Sequence, residues 1–313
     1  MSITKSVLYI PEMSYDPRVR VFRKKFEASG EFDGMEVDAY VIITDRYVVV
    51  CDTLLCPEDA AEMMQMVEGE CAGRQILVVN SHADWDHSWG NAYFISEQSE
   101  HPIPIIAHDY CRTRLLSEEE QTGLADFQKR YSLFQNVTLV PPTLTFDQHF
   151  TIHGGDLTIE LLPAPGHHPD HIAVWLPELR WLLAFDAAEV PFPILEDAPA
   201  VPSMFTTLEH FLRLQPARML CSHGKTTSPA LAKENLDYFR EVERRSRQWL
   251  LEHTPTSEQL EHASEMLGFS FDEAIAHINA PTDRTFYSWV HDNNIRAMIK
   301  WLMSEKPENA NRA

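Results

Sequence analysis

No apolar run in this chain reaches 18 residues, so no segment reads as a membrane span. The opening stretch "MSITKSVLYIPEM" lacks the charged-then-apolar pattern of a secretory signal. Positive charge is scarce: 26 Lys and Arg stand against 47 Asp and Glu, a formal net charge of −21. Such a surface repels phosphate backbones, which argues against a nucleic-acid partner. The nearest thing to a basic run, "FRKKFE" at 22–27, is short and flanked by acids. The cysteines, Cys51, Cys56, Cys71, Cys111 and Cys221, are odd in number and form no C-x-x-C, which points to buried thiols in a reducing compartment. A cytoplasmic enzyme or binding protein remains. With 44% hydrophobic residues in 313, the chain can build a sizeable core, as one large domain or a core with an appendage.

Secondary-structure signals alternate along the chain. "VDAYVIIT" and "RYVVVCD" read as strands across a turn-like "DR". "CPEDAAEMMQMVEGE" reads as a helix with Pro57 in its first turn. "RQILVVN" and "IPIIAH" are apolar strands, and "DYCRTRLLSEEEQTGLADFQKRY" is helical with an expected break at Gly123. Strand signals then cluster in "NVTLV", "LTF", "HFTIHG" and "DLTIELLPA", followed by a hairpin of "HIAVWL" and "RWLLAFD". "EVPFPILEDAPAVPSMF", with four prolines, predicts a long loop. "TTLEHFLRL" predicts a helix, "ARMLCS" a strand, and everything after about 228 is helical in pattern, with no Gly-rich phosphate loop. We therefore expect a core over 1–228 and a helical extension over 229–313 packed on it. The amphipathic "NNIRAMIKWLMSE" could cover that core or a second subunit, so a homodimer stays open.

Histidines and aspartates gather where apolar strands stop. "NSHADWDHSWGN" at 80–91 holds His82, Asp84, Asp86 and His87, with Trp85 and Trp89 among them. "PAPGHHPDH" holds His167, His168, Asp170 and His171; "LLAFDAAE" holds Asp186; "LCSHGK" holds His223. Donors at strand ends converge on one edge of a sheet and are held rigidly. Imidazole with carboxylate suits Zn, Fe or Mn, and a pair of divalent ions needs about six or seven such donors.

This ordered set resembles the signature of the metallo-β-lactamase superfamily: His-x-His-x-Asp-His, then Pro-Gly-His, an Asp at a strand end, and a late His-Gly. Here it reads His82-x-Asp84-x-Asp86-His87, "PGH" at 165–167, Asp186 and "HG" at 223–224, and the resemblance spans about 36–226. It implies an α/β fold, a four-layer αβ/βα sandwich. It also implies two divalent ions, zinc first with iron or manganese as alternatives, at His82, Asp84 and His167 and at Asp86, His87 and His223. Asp186 would bridge them. Asp86 and Asp186 would be the catalytic carboxylates, and Asp52 would support a ligand histidine.

The resemblance implies a hydrolase whose metal-activated hydroxide attacks an ester, lactone, amide or phosphoester bond of a small molecule. One position departs from it, since Asp84 replaces the second histidine of the signature. Flavodiiron proteins carry a carboxylate there, which keeps a di-iron oxidoreductase as an alternative, beside a non-catalytic binding protein. The extra carboxylate predicts a more neutral centre with a less acidic bound water and a shift toward harder metals. The loop after Asp186 is expected to wall the substrate cleft through Glu189, Val190, Phe192, Ile194 and Leu195, with Glu196 and Asp197 adding negative charge and Trp85 or Trp89 nearby.

Overall fold

The structure is a computed structural model that describes residues 6–27, 32–95, 102–278 and 283–305. The first sheet runs β1 (Val7–Tyr9), β2 (Val19–Lys25), β3 (Glu36–Ile43), β4 (Tyr47–Cys51), β5 (Gln75–Val79), β6 (Ile105–His108), β7 (Leu144–Phe146), in that spatial order. Its pairs are antiparallel from β1 to β4 and parallel from β4 to β7. The second sheet holds β8 (Phe150–His153), β9 (Thr158–Pro163), β10 (Ile172–Leu176), β11 (Trp181–Leu183) and β12 (Arg218–Leu220), antiparallel except for the β11–β12 pair.

Helices occupy the connections and the tail. In the first half they are α1 (Pro57–Met66), α2 (Glu68–Cys71), α3 (Trp85–Ser88), α4 (Asp109–Leu115) and α5 (Glu118–Arg130). In the second half come α6 (Ala200–Leu214), α7 (Leu231–Trp249), α8 (Ser257–Glu261), α9 (Ala263–Leu267), α10 (Phe271–Ala274) and α11 (Arg284–Ser304).

Strands β3, β4 and β10 are buried almost throughout on both faces, and their alternation divides the core into layers. In β3, Val37, Ala39, Val41 and Ile43 meet Met63 of α1 and Leu124 of α5, while Tyr40 and Ile42 face the other sheet. In β10, Ile172, Val174 and Leu176 join that inter-sheet core, and Ala173 and Trp175 face α6, α7 and α11 through Leu208, Phe239 and Ile295. Helix, sheet, sheet, helix is the expected αβ/βα sandwich. The helices after residue 228 share the outer core of the second sheet rather than forming a core of their own.

Several local expectations change. β1 and β2 precede the first strand read from sequence, and the basic "FRKK" stretch lies largely in β2. Its Arg23 reaches Asp38 at 2.6 Å and its Lys24 reaches Asp59 at 2.7 Å, so both charges are used inside the protein. The long helix over 109–130 breaks at Leu116 and Ser117, not at Gly123. The Ser117 hydroxyl caps α5 by accepting from the Glu120 amide, and Glu118, Glu119 and Glu120 complement its N-terminal dipole. "NVTLV" forms no strand, because Leu144 takes the register beside Ile106. The proline-rich loop ends early at Ala200, with Pro202 accommodated in the first turn of α6.

Candidate metal centre

Strand ends from both sheets supply the centre. His82 and Asp84 follow β5, and α3 carries Asp86 and His87. His167 follows β9, Asp186 lies in a single 3-10 turn after β11, and His223 follows β12. The backbone at this edge is strained: Asp52, Leu54 and Phe185 have φ of 66°, 62° and 48°. Gly166 of the Pro-Gly-His turn has φ of 143°, and a Cβ there would lie 2.7 Å from the Met204 Cα. Only glycine fits that turn, which delivers His167.

The carboxylate of Asp186 is the focus. Its Oδ2 lies 3.8 Å from His82 Nε2, 3.2 Å from His87 Nε2, 3.8 Å from His167 Nε2 and 3.3 Å from His223 Nε2. Asp84 Oδ2 lies 3.5 Å from both His82 Nε2 and His167 Nε2. Asp86 Oδ2 lies 3.5 Å from His87 Nε2 and 3.2 Å from His223 Nε2. Donor atoms of His82, Asp84 and His167 fall within 4.8 Å of one another, as do those of Asp86, His87 and His223 and those of His82, His87 and Asp186. All seven residues singled out from the sequence therefore meet in one place.

Surrounding groups aim the imidazoles. Asp52 Oδ2 lies 2.8 Å from His87 Nδ1 and accepts from the Ser81 hydroxyl, whose oxygen is 2.9 Å from His82 Nδ1. Glu36 and Ile194 carbonyls face His223 Nδ1 and His167 Nδ1 at 2.8 and 3.3 Å. With Nδ1 engaged, each ring turns Nε2 toward the centre. The Nε2 atoms of His82, His87 and His167 and Asp186 Oδ1 are buried without a protein hydrogen-bond partner. Buried polar atoms are nearly always satisfied. Unpartnered nitrogens converging beside carboxylates fit divalent cations, so the residues present match the implied metals.

Electrostatics agree. Burial works against ionisation of Asp186, yet His87 and His223 hold its carboxyl well below the usual range. Burial likewise opposes charge on His87 and His223, but Asp186 and Asp86 raise both well above an ordinary histidine. Burial and the neighbouring His168 lower His167, which favours its neutral form.

Other participants lie outside the family signature, and of these only His168, Asp170 and His171 stood in a strand-end cluster of the sequence. His171, lowered by burial and by His82, accepts the Asp186 amide on Nε2 at 3.2 Å. His168 Nε2 lies 3.2 Å from Asp84 Oδ2 and its Nδ1 is 3.4 Å from Glu196; burial opposes its charge, but Asp84 lifts it to about 10. Arg114 reaches Asp84 Oδ1 at 2.7 Å and Asp170 Oδ1 at 2.8 Å. His108, by contrast, caps α4 and contacts the Asp147 carbonyl.

Above the centre lies a cavity of about 510 Å³. The loop after Asp186 contributes Glu189, Val190 and Ile194 to it, but Phe192 and Leu195 do not line it. Phe192 stacks on Tyr238 at 3.8 Å inside the core, with Leu195 in the same cluster. Glu196 pairs with His168 instead. Packed on this loop, α11 adds Phe286, Tyr287 and Val290 to the lining, and Trp85 and Phe32 contribute as well. Trp89 packs inward against Phe127 and Phe134. Tyr287 donates to Glu189 Oε2 at 2.7 Å, and burial together with nearby Asp186 pushes Glu189 up to about 8.

Imidazoles and carboxylates crowded at the shared edge of two sheets, beneath a cleft, form a candidate metal site in an αβ/βα sandwich. The chain belongs to the metallo-beta-lactamase superfamily, whose profile matches residues 33–240. The structure is similar to the metallo-beta-lactamase DIM-1 exposed to ceftazidime, with a TM-score of 0.56 and 18% identity over 74% of this chain and 95% of that one. It is similar to a metallo-beta-lactamase from Pontibacter korlensis, with a TM-score of 0.54 and 15% identity over 74% and 97% of the two chains. FIM-1 from Pseudomonas aeruginosa in its mono-zinc form gives a TM-score of 0.54 and 16% identity over 74% and 93%. Comparison with curated proteins finds no match. Among the described residues, no helix is long and apolar enough to cross a membrane.

Proposed function

We propose that this protein is a cytoplasmic, metal-dependent hydrolase of small molecules. His82, Asp84 and His167 would hold one divalent ion, Asp86, His87 and His223 the other, with Asp186 between them. The observation that carries this reading is one carboxylate oxygen of Asp186 within 3.8 Å of four imidazole Nε2 atoms. Two divalent ions in such a site supply Lewis acidity and lower the pKa of water, the chemistry needed to open an ester, lactone, amide or phosphoester bond.

The chain's own residues do the rest. Asp86 and Asp186 line the cleft floor, and Asp86, reached by two imidazoles, is the carboxylate assigned to proton handling. Phe32, Trp85, Ile194, Phe286 and Val290 form an apolar wall that excludes water and seats the non-reacting part of the substrate. The cleft is acidic at Asp33 and Asp283, while Glu189, raised to about 8, adds a largely neutral carboxyl; of its two lysines, Lys25 and Lys225, the second is paired with Glu36 at 2.7 Å. It therefore favours neutral or cationic, partly apolar substrates and repels polyanions. The extension over 229–313 completes the cleft through α11.

The carboxylate at 84 favours iron as a second reading, with oxygen reduction as the activity. Elemental analysis, a panel of esters, lactones, β-lactams and phosphodiesters, and an oxygen-consumption assay separate the two. Hydrolysis that chelator abolishes and zinc restores supports the proposal. Bound iron with oxygen consumption and no hydrolysis overturns it.

A further inference from the structure

Asp84 occupies the place where the resemblance expects a histidine, and a histidine offers a single nitrogen. A carboxylate offers two oxygens and turns freely between one-oxygen and two-oxygen binding. Here that freedom is removed. Arg114, on α4, donates from Nη2 to Asp84 Oδ1 at 2.7 Å, while Asp84 Oδ2 faces His82 and His167 at 3.5 Å and His168 at 3.2 Å. Its other terminal nitrogen, Nη1, donates to Asp170 Oδ1 at 2.8 Å, and Asp170 Oδ2 accepts the Ala83 amide at 2.8 Å. One planar fork thus fixes the carboxylate and, through a fully buried aspartate, the backbone between His82 and Asp84.

We propose that Arg114 is a positioning residue for the first metal position, and that Arg114 and Asp84 work as a unit replacing the expected histidine. This rests on the reading that the centre holds metal. Three consequences follow from the contacts. Asp84 becomes a one-oxygen donor through Oδ2. The shorter aspartate side chain is held where it can reach the His82 and His167 nitrogens. The extra negative charge of the substitution is offset in part by the guanidinium, so the centre is less neutral than the sequence alone implied. The same Nη2 of Arg114 also touches Glu120 Oε1 at 3.2 Å.

A merely structural arginine, present only to satisfy Asp170, would make a different prediction. The test is zinc affinity by competition with a chromophoric chelator, together with zinc content, for the parent, Arg114→Met, Asp84→His and the double variant. The parent should hold two ions. Arg114→Met should weaken one of them about 10–100-fold and spare the other, the usual effect of removing a group that orients a ligand. Asp84→His alone leaves the guanidinium against an imidazole and should also weaken that ion. The double variant should bind it at least about tenfold more tightly than either single one, because a histidine needs no arginine. Arg114→Lys can still pair with Asp170 but cannot span both carboxylates, so it guards against misfolding of the methionine variant; it should lose about tenfold as well. Two ions held by the parent with Arg114→Met and Arg114→Lys unchanged, or single effects that simply add, overturn the arginine's role and leave the metal reading intact. A parent that binds no ion overturns the metal reading itself.

Discussion

Gly90 follows the histidine-aspartate loop by three residues, and Gly90→Ala is the perturbation that best probes how that loop is held. A Cβ at Gly90 would lie 2.0 Å from the Thr53 carbonyl oxygen and 3.0 Å from the Cys56 carbonyl oxygen. Ordinary carbon–oxygen contact requires the two segments to part by more than about 1 Å. Both partners are backbone, so no side chain can swing away. The displaced segment carries Thr53, whose amide donates to the His87 carbonyl at 2.8 Å, and Asp52, 2.8 Å from His87 Nδ1. Overpacking of this kind costs about 1–3 kcal/mol and a lost hydrogen bond about 1 kcal/mol more. Removing glycine returns up to about 1 kcal/mol through the unfolded chain. The net is a loss of about 1–4 kcal/mol, read as a lower urea midpoint at unchanged slope. Gly123→Ala is the control: it sits inside α5 with nothing within 4 Å of a Cβ, so it should stabilise by about 0.5–1 kcal/mol. A Gly90→Ala protein as stable as the parent would refute the close-approach argument.

Other perturbations follow from the same geometry. Phe192→Ala should destabilise by about 3–5 kcal/mol, since its ring stacks in the core, while leaving substrate ranking unchanged in kinetics on the folded fraction. Tyr287→Phe removes the donor to Glu189 in the cleft lining; we expect a changed KM or substrate ranking with both metals retained, measured by steady-state kinetics beside elemental analysis. In the metal-free protein, His87 and His223 are raised well above their ordinary values, so they contribute stability that is complete below about pH 6.5 and lost as pH rises through the raised folded values. A metal must displace a proton from each, so affinity at that position should climb with pH, and metal addition to a weakly buffered sample at pH 7 should acidify it.

Most strands and helices were legible because strand alternation and helix periodicity are local signals, whereas their four-layer arrangement was implied by the family resemblance. The hairpin of β10 and β11 and the helices of the tail needed nothing more. β1 and β2 were missed because β1 spans three residues and β2 buries Arg23 and Lys24, whose ion-pair partners lie 15 and 35 positions away. Ser117 with its run of glutamates did carry a cap signal, and Gly123 drew attention away from it. At the centre, ten histidines and aspartates stood out because each follows an apolar strand, and the family resemblance selected seven of them. Arg114, which acts across 30 and 56 positions on Asp84 and Asp170, has no such local mark. Nor does Tyr287, which meets Glu189 only after α11 folds back over the second sheet. Phe192 and Val190 look alike in the sequence; only packing sends one into the core and the other to the cleft.

The most direct test of the account is metal stoichiometry across four proteins: the parent, His167→Ala, His223→Ala and Asp186→Ala. The account predicts two ions per chain in the parent, one in each histidine variant, and weakened binding of both ions in Asp186→Ala, since that carboxylate faces all four imidazoles. Active parent protein that carries no metal and resists chelators would contradict it, as would a parent holding two ions whose stoichiometry none of the three substitutions alters.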